Sequence, residues 1–235
     1  MSNAILVGTG LRKTYIQESG SELNILEGVE IAVQPGEAIA IVGASGAGKS
    51  TLLHLLGGLD KPTSGEVFLD GKSVAELSER ELASVRNERV GFVFQFHHLL
   101  REFTALENVM MPLLIAGRER QLSKDRATRL LTEVGLEARL THKPWQLSGG
   151  EQQRVAVARA LANEPAVVIA DEPSGNLDTH TGEQLHDLFF RLQSEHGVAL
   201  VIATHNRELA ERADRILQMK EGRLVEHAPS VNDAV

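Results

Sequence analysis

Cysteine is absent from this chain of 235 residues. A disulfide framework and a thiolate-bound zinc or iron–sulfur site are therefore impossible, and the absence suits a reducing compartment. Long apolar runs are also missing. Stretches such as Ala38–Val42, Val167–Ala170 and Val198–Ala203 fall far short of the roughly 20 residues a membrane helix needs. The N-terminus has no basic start followed by an apolar stretch, so no signal peptide is expected. If the protein works at a membrane, another chain is expected to hold it there. Basic charge is in deficit: 24 Lys and Arg face 32 Asp and Glu, a net charge of -8. That balance weighs against duplex DNA, or any nucleic acid, as the main partner. Aromatics make up only 4%, with one Tyr, so Tyr15 stands out. At 42% hydrophobic and 24% charged, the composition is globular and excludes wholesale disorder.

What is present begins with Gly43-Ala44-Ser45-Gly46-Ala47-Gly48-Lys49-Ser50. The stretch matches the phosphate-binding pattern G-x-x-x-x-G-K-[ST]. It lies between an apolar run, Ala38–Val42, and a helix-forming run that opens at Thr51. A helix N-terminus offers unpaired N–H groups and the positive end of its dipole to an anion. Glycines let the backbone approach the phosphates. Lys49 supplies a point charge for the outer phosphates, and the Ser50 hydroxyl can ligate Mg²⁺. The loop implies a nucleoside triphosphate site, but many activities share it.

The rest of the chain alternates strands and helices. Residues 1–42 read as short strands and turns, with a turn at Gln34-Pro35-Gly36-Glu37. Val67–Leu69 and Val90–Phe94 read as strands, and 76–86 as a helix. Helices are expected over 105–116 and 124–134, with Gly135 as a C-cap, and again from Gln152. Ala166–Ala170 and Val198–Ala203 read as buried strands with a helix, 182–196, between them. Another helix is expected over 207–213, and a hairpin turns at Glu221-Gly222. Such alternation predicts a mostly parallel α/β sheet. The block from 96 to about 154 reads as an inserted helical subdomain.

Asp171 and Glu172 leave the apolar strand Val167–Ala170 at its C-terminal end, where ligands sit in α/β sheets. Asp171 can hold Mg²⁺ through water, and Glu172 can orient or deprotonate an attacking water. Leu147-Ser148-Gly149-Gly150-Glu151 places Ser-Gly-Gly directly before a long helix, a second anion-binding N-terminus. That wording resembles the signature motif of ATP-binding cassette (ABC) ATPases, and the resemblance covers essentially the whole chain.

The resemblance implies further roles. Tyr15 sits where the family stacks an aromatic on adenine, although a packed strand residue is the alternative. Thr51 completes the nucleotide loop. Gln95 matches the Q-loop glutamine, which contacts Mg²⁺ and the attacking water. Asn176-Leu177-Asp178 matches the D-loop, and His205 the H-loop clamp on the γ-phosphate. Ser174 departs from the threonine many relatives carry, a small change between hydroxyls. The implied fold is a P-loop NTPase (RecA-like) core with an N-terminal antiparallel β-subdomain and an inserted α-helical subdomain. One ABC ATPase domain would span 1–235, with its core over 1–95 and 155–235. Two copies would associate head to tail around two Mg²⁺–ATP, each signature meeting the other copy's loop. A lone subunit would hydrolyse ATP poorly.

Phe96, Leu99, Leu100 and Phe103 follow Gln95 and would form an apolar surface for paired membrane permease subunits. Packing of these residues within the chain is the alternative. His97 and His98 lack a third ligand for a metal site. This stretch, with 53–60 and 110–115, is similar to the ABC ATPases of lipoprotein-releasing systems. The implied place is the cytoplasmic face of the inner membrane, peripheral. ATPases of macrolide or peptide export and of cell division share much of the pattern. DNA-repair relatives carry a long coiled coil or zinc modules where this chain has only 96–146, without heptads or Cys.

Overall fold

The computed structural model describes residues 4–18 and 20–226; the outermost parts of the expected 1–235 domain lie outside these. The chain opens with β1 (Leu6–Ile16) and β2 (Glu22–Val33), then β3 (Ala38–Val42) and α1 (Lys49–Leu56). Next come β4 (Ser64–Leu69), β5 (Lys72–Ser73), α2 (Glu79–Arg89) and β6 (Val90–Phe94). Three helices follow: α3 (Ala105–Ile115), α4 (Arg120–Glu133) and α5 (Gly149–Ala160). The chain then runs through β7 (Val167–Asp171), α6 (Thr179–His196), β8 (Ala199–Ala203) and α7 (Arg207–Glu211), ending in the hairpin β9 (Arg215–Lys220) and β10 (Arg223–Glu226).

Two sheets result. One is antiparallel, in the order β2-β1-β4-β5. The other has the order β10-β9-β3-β8-β7-β6 and is parallel from β9 to β6. The α/β core with its N-terminal antiparallel sheet is therefore present. The reading of 1–42 as short strands is corrected, because β1 and β2 have 11 and 12 residues. Their pairing shifts register between Gly8 and Leu11 and again near Lys13. Each bulge breaks the period-2 alternation that signals a strand in sequence. Helix α4 also starts four residues before the expected 124.

Alternate residues of the parallel strands enter two different cores. Val168, Ala170, Leu200 and Ile202 face α3–α6, together with Val155, Leu185 and Phe189. Ile39, Ile41, Val167, Ile169, Val201 and Ala203 face α1 and the antiparallel sheet, against Leu52, Leu53 and Leu6. A parallel sheet buried on both faces needs such continuous apolar strands. Helix α5 packs against α3, α4 and α6 and also against β6, so it ties the helical block to the sheet.

Candidate functional site: a nucleotide cleft at the strand ends

The motif residues converge at the C-terminal ends of four adjacent parallel strands. The 43–50 loop follows β3, Gln95 follows β6, Asp171 and Glu172 end β7, and His205 follows β8. This is the edge where open α/β sheets bind ligands. A cleft of about 390 Å³ there is lined by Ile25, Ser45, Gly46, Gly48, Lys49, Ser50, Thr51, Gln95, Asp171 and Glu172. A larger cleft of about 670 Å³, beside α4 and lined by Arg118, Arg126 and Arg129, holds none of the motif residues.

Two glycines give the loop its path. Gly43 has φ 157°, and a Cβ there would lie 2.6 Å from the Met219 carbonyl oxygen. Gly48, at φ 102°, caps α1 and would place a Cβ 3.0 Å from the Ile25 carbonyl. Ala44 and Ala47 fill the turn, closed by a 3.2 Å bond from the Ala47 N–H to the Ala44 carbonyl. Buried Lys49 donates from Nζ to the carbonyls of Gly43 and Ala44, at 2.9 and 3.1 Å. The ammonium is thus held inside the curve of the loop, where it meets an anion with little further ordering.

Asp171 is bonded by the Ser50 hydroxyl, and burial, the largest influence, pushes its carboxyl above the ordinary range. Glu172 adds repulsion, while Ser50 and Lys49 pull the other way. Two carboxylates side by side, partly shielded from water, want a cation. The donors present are a hydroxyl, carboxylates and the Gln95 amide, all hard oxygen ligands suited to Mg²⁺. Gln95 uses its Nε2 to bond Asn176 Oδ1 at 2.9 Å, which leaves Oε1 as a free lone-pair donor. Asn176 returns a bond from Nδ2 to the Gln95 carbonyl at 3.1 Å. The glutamine after β6 and the loop after β7 are thereby locked together.

Glu172 carries φ 46°, a left-handed backbone that is strained for a residue with a side chain. Its N–H is fixed on the Ala203 carbonyl at 2.9 Å, and its own carbonyl accepts from Gly175 at 3.0 Å. The carboxylate accepts from His205 twice, from ring Nδ1 at 2.9 Å and from the backbone N–H at 3.3 Å. The base candidate is thus aimed by the residue that follows the neighbouring strand.

Tyr15 is 41% exposed and its hydroxyl donates to Asp60 at 3.0 Å. It also bonds Thr51, so the ring stands beside the start of α1. Lys13 lies 4.9 Å above that ring and pairs with Asp60 at 2.8 Å. Tyr15 is at the edge of the cleft and is not buried in the strand.

Leu147, Ser148, Gly149, Gly150 and Glu151 form the N-terminus of α5. Ser148 accepts from the Glu151 N–H at 3.2 Å, and Glu151 returns to the Ser148 N–H at 2.8 Å. Arg139 grips the same Glu151 at 2.9 Å. Leu147 is buried, while Gly150 lies so close to Thr181 that a Cβ would sit 2.5 Å from its methyl. Thr181 is in turn held by Asp178, the N-cap of α6, at 3.0 and 2.6 Å. Gly149 faces Leu177. Signature and D-loop residues are therefore neighbours, yet none of 147–151 lines the cleft at 43–50.

Of the four apolar residues expected to face a partner, Phe96 is 65% exposed, Leu100 43% and Phe103 37%. Leu99 instead packs partly against the core. Sequence reasoning missed Asn108, which is fully buried in α3 and organises the 100–104 turn through four bonds. An amide directly before the apolar run Val109–Ile115 was the available signal. It also missed Ile25, which lines the cleft from β2; nothing local marks that residue.

A phosphate loop, a half-buried carboxylate pair and an oriented acid–histidine couple on one strand edge define a nucleoside triphosphatase of the ABC class. A family model described as ABC transporter matches residues 26–175, and the chain belongs to that family. It is an ATP-binding subunit that resembles LolD. Identity is 52% to the lipoprotein-releasing system ATP-binding protein LolD of Legionella pneumophila (strain Lens), over 95% of this chain and 98% of that protein. The same value holds for LolD of Xanthomonas euvesicatoria pv. vesicatoria (strain 85-10), over 97% and 93%. Among solved structures, the ATP-binding cassette MJ0796, dimeric and bound to ADP and Pi, superposes with a TM-score of 0.86 at 40% identity, covering 93% and 96%. A second dimeric structure of MJ0796, described as a bacterial ABC transporter cassette, gives the same score at 41% identity.

Proposed function

We propose that this chain is the ATP-hydrolysing subunit of a lipoprotein-releasing ABC complex, acting as a head-to-tail pair on the cytoplasmic face of the inner membrane. The reading rests on one observation above the others. The cleft is lined by Ser45, Gly46, Gly48, Lys49, Ser50, Thr51, Gln95, Asp171 and Glu172, but by none of Ser148, Gly149 and Gly150, which open the α5 N-terminus elsewhere. An anion-binding helix end not used by its own cleft is available to a second copy's nucleotide. Two-fold pairing then gives each triphosphate a helix end on both sides, α1 from one copy and α5 from the other. The dimeric cassettes of MJ0796 and the LolD relatives support this reading, and LolC- and LolE-like permeases are the partners that follow from it. The chain's own part is binding, closure and hydrolysis, with 96–154 as the block that moves with the permease.

In hydrolysis the loop amides and Lys49 hold the β- and γ-phosphates. Ser50, Asp171 and the Gln95 oxygen would hold Mg²⁺, which supplies charge neutralisation at the phosphates when bound. Glu172 accepts a proton from water as the water oxygen bonds to the γ-phosphorus. The bond from that phosphorus to the bridging oxygen breaks, and ADP and phosphate separate. His205 donates from Nδ1 to Glu172. Its other ring nitrogen, Nε2, is the one left to meet the γ-phosphate. Tyr15 closes the outer side against the adenine.

Glu172→Gln tests the assignment. The variant is expected to bind ATP, run as a dimer on gel filtration with Mg²⁺–ATP, and hydrolyse at least about a hundredfold more slowly. Adding Ser148→Arg should leave ATP binding intact and return the protein to monomer. Wild-type turnover in the first variant removes Glu172 as the base. An unchanged dimer in the second removes the head-to-tail arrangement.

A further inference from the structure

His186 lies on α6, 12 residues beyond Ser174, and is only 3% exposed. Its neighbours along the helix, Leu185, Phe189 and Leu192, are core residues. A polar ring among them must find a partner or lose its hydration without return. The partner is Ser174: imidazole Nε2 and hydroxyl Oγ are 2.8 Å apart. Ser174 sits two residues after Glu172 and two before Asn176.

We propose that His186 is a positioning residue for hydrolysis, pinning Ser174 so that the turn from Glu172 to Asn176 holds the carboxylate base and the Gln95 lock in register. The inference rests on the role given to Glu172 above. The turn needs such an anchor because Glu172 is at φ 46°, a conformation that persists only where the surroundings over-determine it. Other restraints reach this turn: the Glu172 N–H on the Ala203 carbonyl, the Gly175 N–H on the Glu172 carbonyl, the Leu177 N–H on the Ser174 carbonyl, the His205 contacts to the Glu172 carboxylate, and the paired Asn176–Gln95 bonds. None of them acts on Ser174 Oγ, the only side chain of the turn tied to α6 by a side-chain bond among the described residues. The helix makes a rigid post, since its first turn is capped by Asp178 and its other end is closed at Gly197. Ser174 also packs on it, with its Cβ 3.6 Å from where a side chain on Gly182 would begin. Burial, followed by the nearby Arg212, pushes the His186 pKa down, so the ring stays neutral and can either donate to or accept from the hydroxyl.

The bond links two positions that sequence alone leaves unrelated. At 174 this chain carries a serine hydroxyl, and the side chain it bonds is the His186 imidazole.

The test compares His186→Leu, His186→Gln, Ser174→Ala and the double variant His186→Leu/Ser174→Ala in the full chain. Steady-state ATPase, nucleotide affinity and thermal midpoint are read for each. His186→Leu keeps the volume and removes the bond. It is expected to lower kcat by about five- to tenfold, with KM for ATP within about twofold of wild type, because the loss falls on orientation of the base and not on the phosphate loop. His186→Gln, which can still bond Ser174, should recover most of kcat. Ser174→Ala is the milder change and covers the case in which His186→Leu fails to fold; it should reproduce the kcat loss. The double variant should be no slower than the worse single one, as expected for two members of one contact. Wild-type kcat in folded Ser174→Ala, or losses that multiply in the double variant, would overturn the proposal. So would a fall in thermal midpoint with kcat untouched. Glu172→Gln run in parallel separates the readings: if it retains turnover, the base assignment fails first. If it is dead while Ser174→Ala is normal, only the role of His186 falls.

Discussion

Replacing Asn108 by Ala perturbs the exposed apolar surface around Leu100 and Phe103 without touching the nucleotide cleft. The side chain is 0% exposed. Its Oδ1 accepts from the Leu100 N–H at 2.8 Å, and Nδ2 donates to the carbonyls of Leu100, Phe103 and Thr104 at 3.2, 3.1 and 2.9 Å. Two of those carbonyls have second partners: Leu100 from the Phe103 N–H and Thr104 from the Asn108 N–H. Among the described residues, the Leu100 N–H and the Phe103 carbonyl rely on the amide alone. Each group left unpaired costs about 1–3 kcal/mol when it stays buried, and less where water can reach it. Leu100 and Phe103 are both exposed, so the lower part of that range applies and the expected loss is about 2–3 kcal/mol in total. The loss is local. Urea denaturation should report it, limited proteolysis should cut between residues 100 and 104, and ATP affinity should stay within about twofold. A change below about 0.5 kcal/mol, the scatter of neutral surface substitutions, would refute the accounting. So would a segment that resists the protease as well as wild type.

Two further substitutions bear on the partner surface and on the signature helix. Phe103→Glu should leave ATP binding unchanged and reduce co-purification with the permease subunits by about tenfold or more; an intact complex would show that this ring is not part of the contact. Glu151→Gln tests the capping box. The Ser148 N–H, and then Arg139, hold the Glu151 carboxyl below the usual glutamate range. Its folded pKa is thus lower than its unfolded one, so its contribution is present above the unfolded value of about 4.3 and is lost as pH falls through the folded one. The thermal midpoint of Glu151→Gln should therefore lie below wild type at pH 7 and converge with it in acid; a constant gap across that range would contradict the assignment.

Much of the cleft was legible because its chemistry is local. The 43–50 loop, the Asp171–Glu172 pair and the Ser148 cap each work through consecutive residues, so strand, turn and helix signals around them suffice. The hairpin at Glu221-Gly222 and the helix stop at Gly135 are local in the same way, and both are where the sequence places them. Strands β1 and β2 were harder to read because bulges erase the alternation that marks a strand. Leu99 and Leu100 are adjacent and equally apolar, yet only the first turns toward the core. No sequence pattern separates them, because the direction is set by Asn108 eight residues on.

By itself, the order of residues determined the class of fold, the phosphate-binding loop and the presence of a second anion-binding helix end. Those features depend on backbone conformations that neighbouring residues dictate. Only the tertiary structure decided which groups meet. It brought His205 onto Glu172 across 33 residues, Gln95 onto Asn176 across 81, and His186 onto Ser174 across 12. Contacts of that kind depend on strand order and helix packing, which are fixed by how the whole chain buries its apolar faces and leave no mark at either partner.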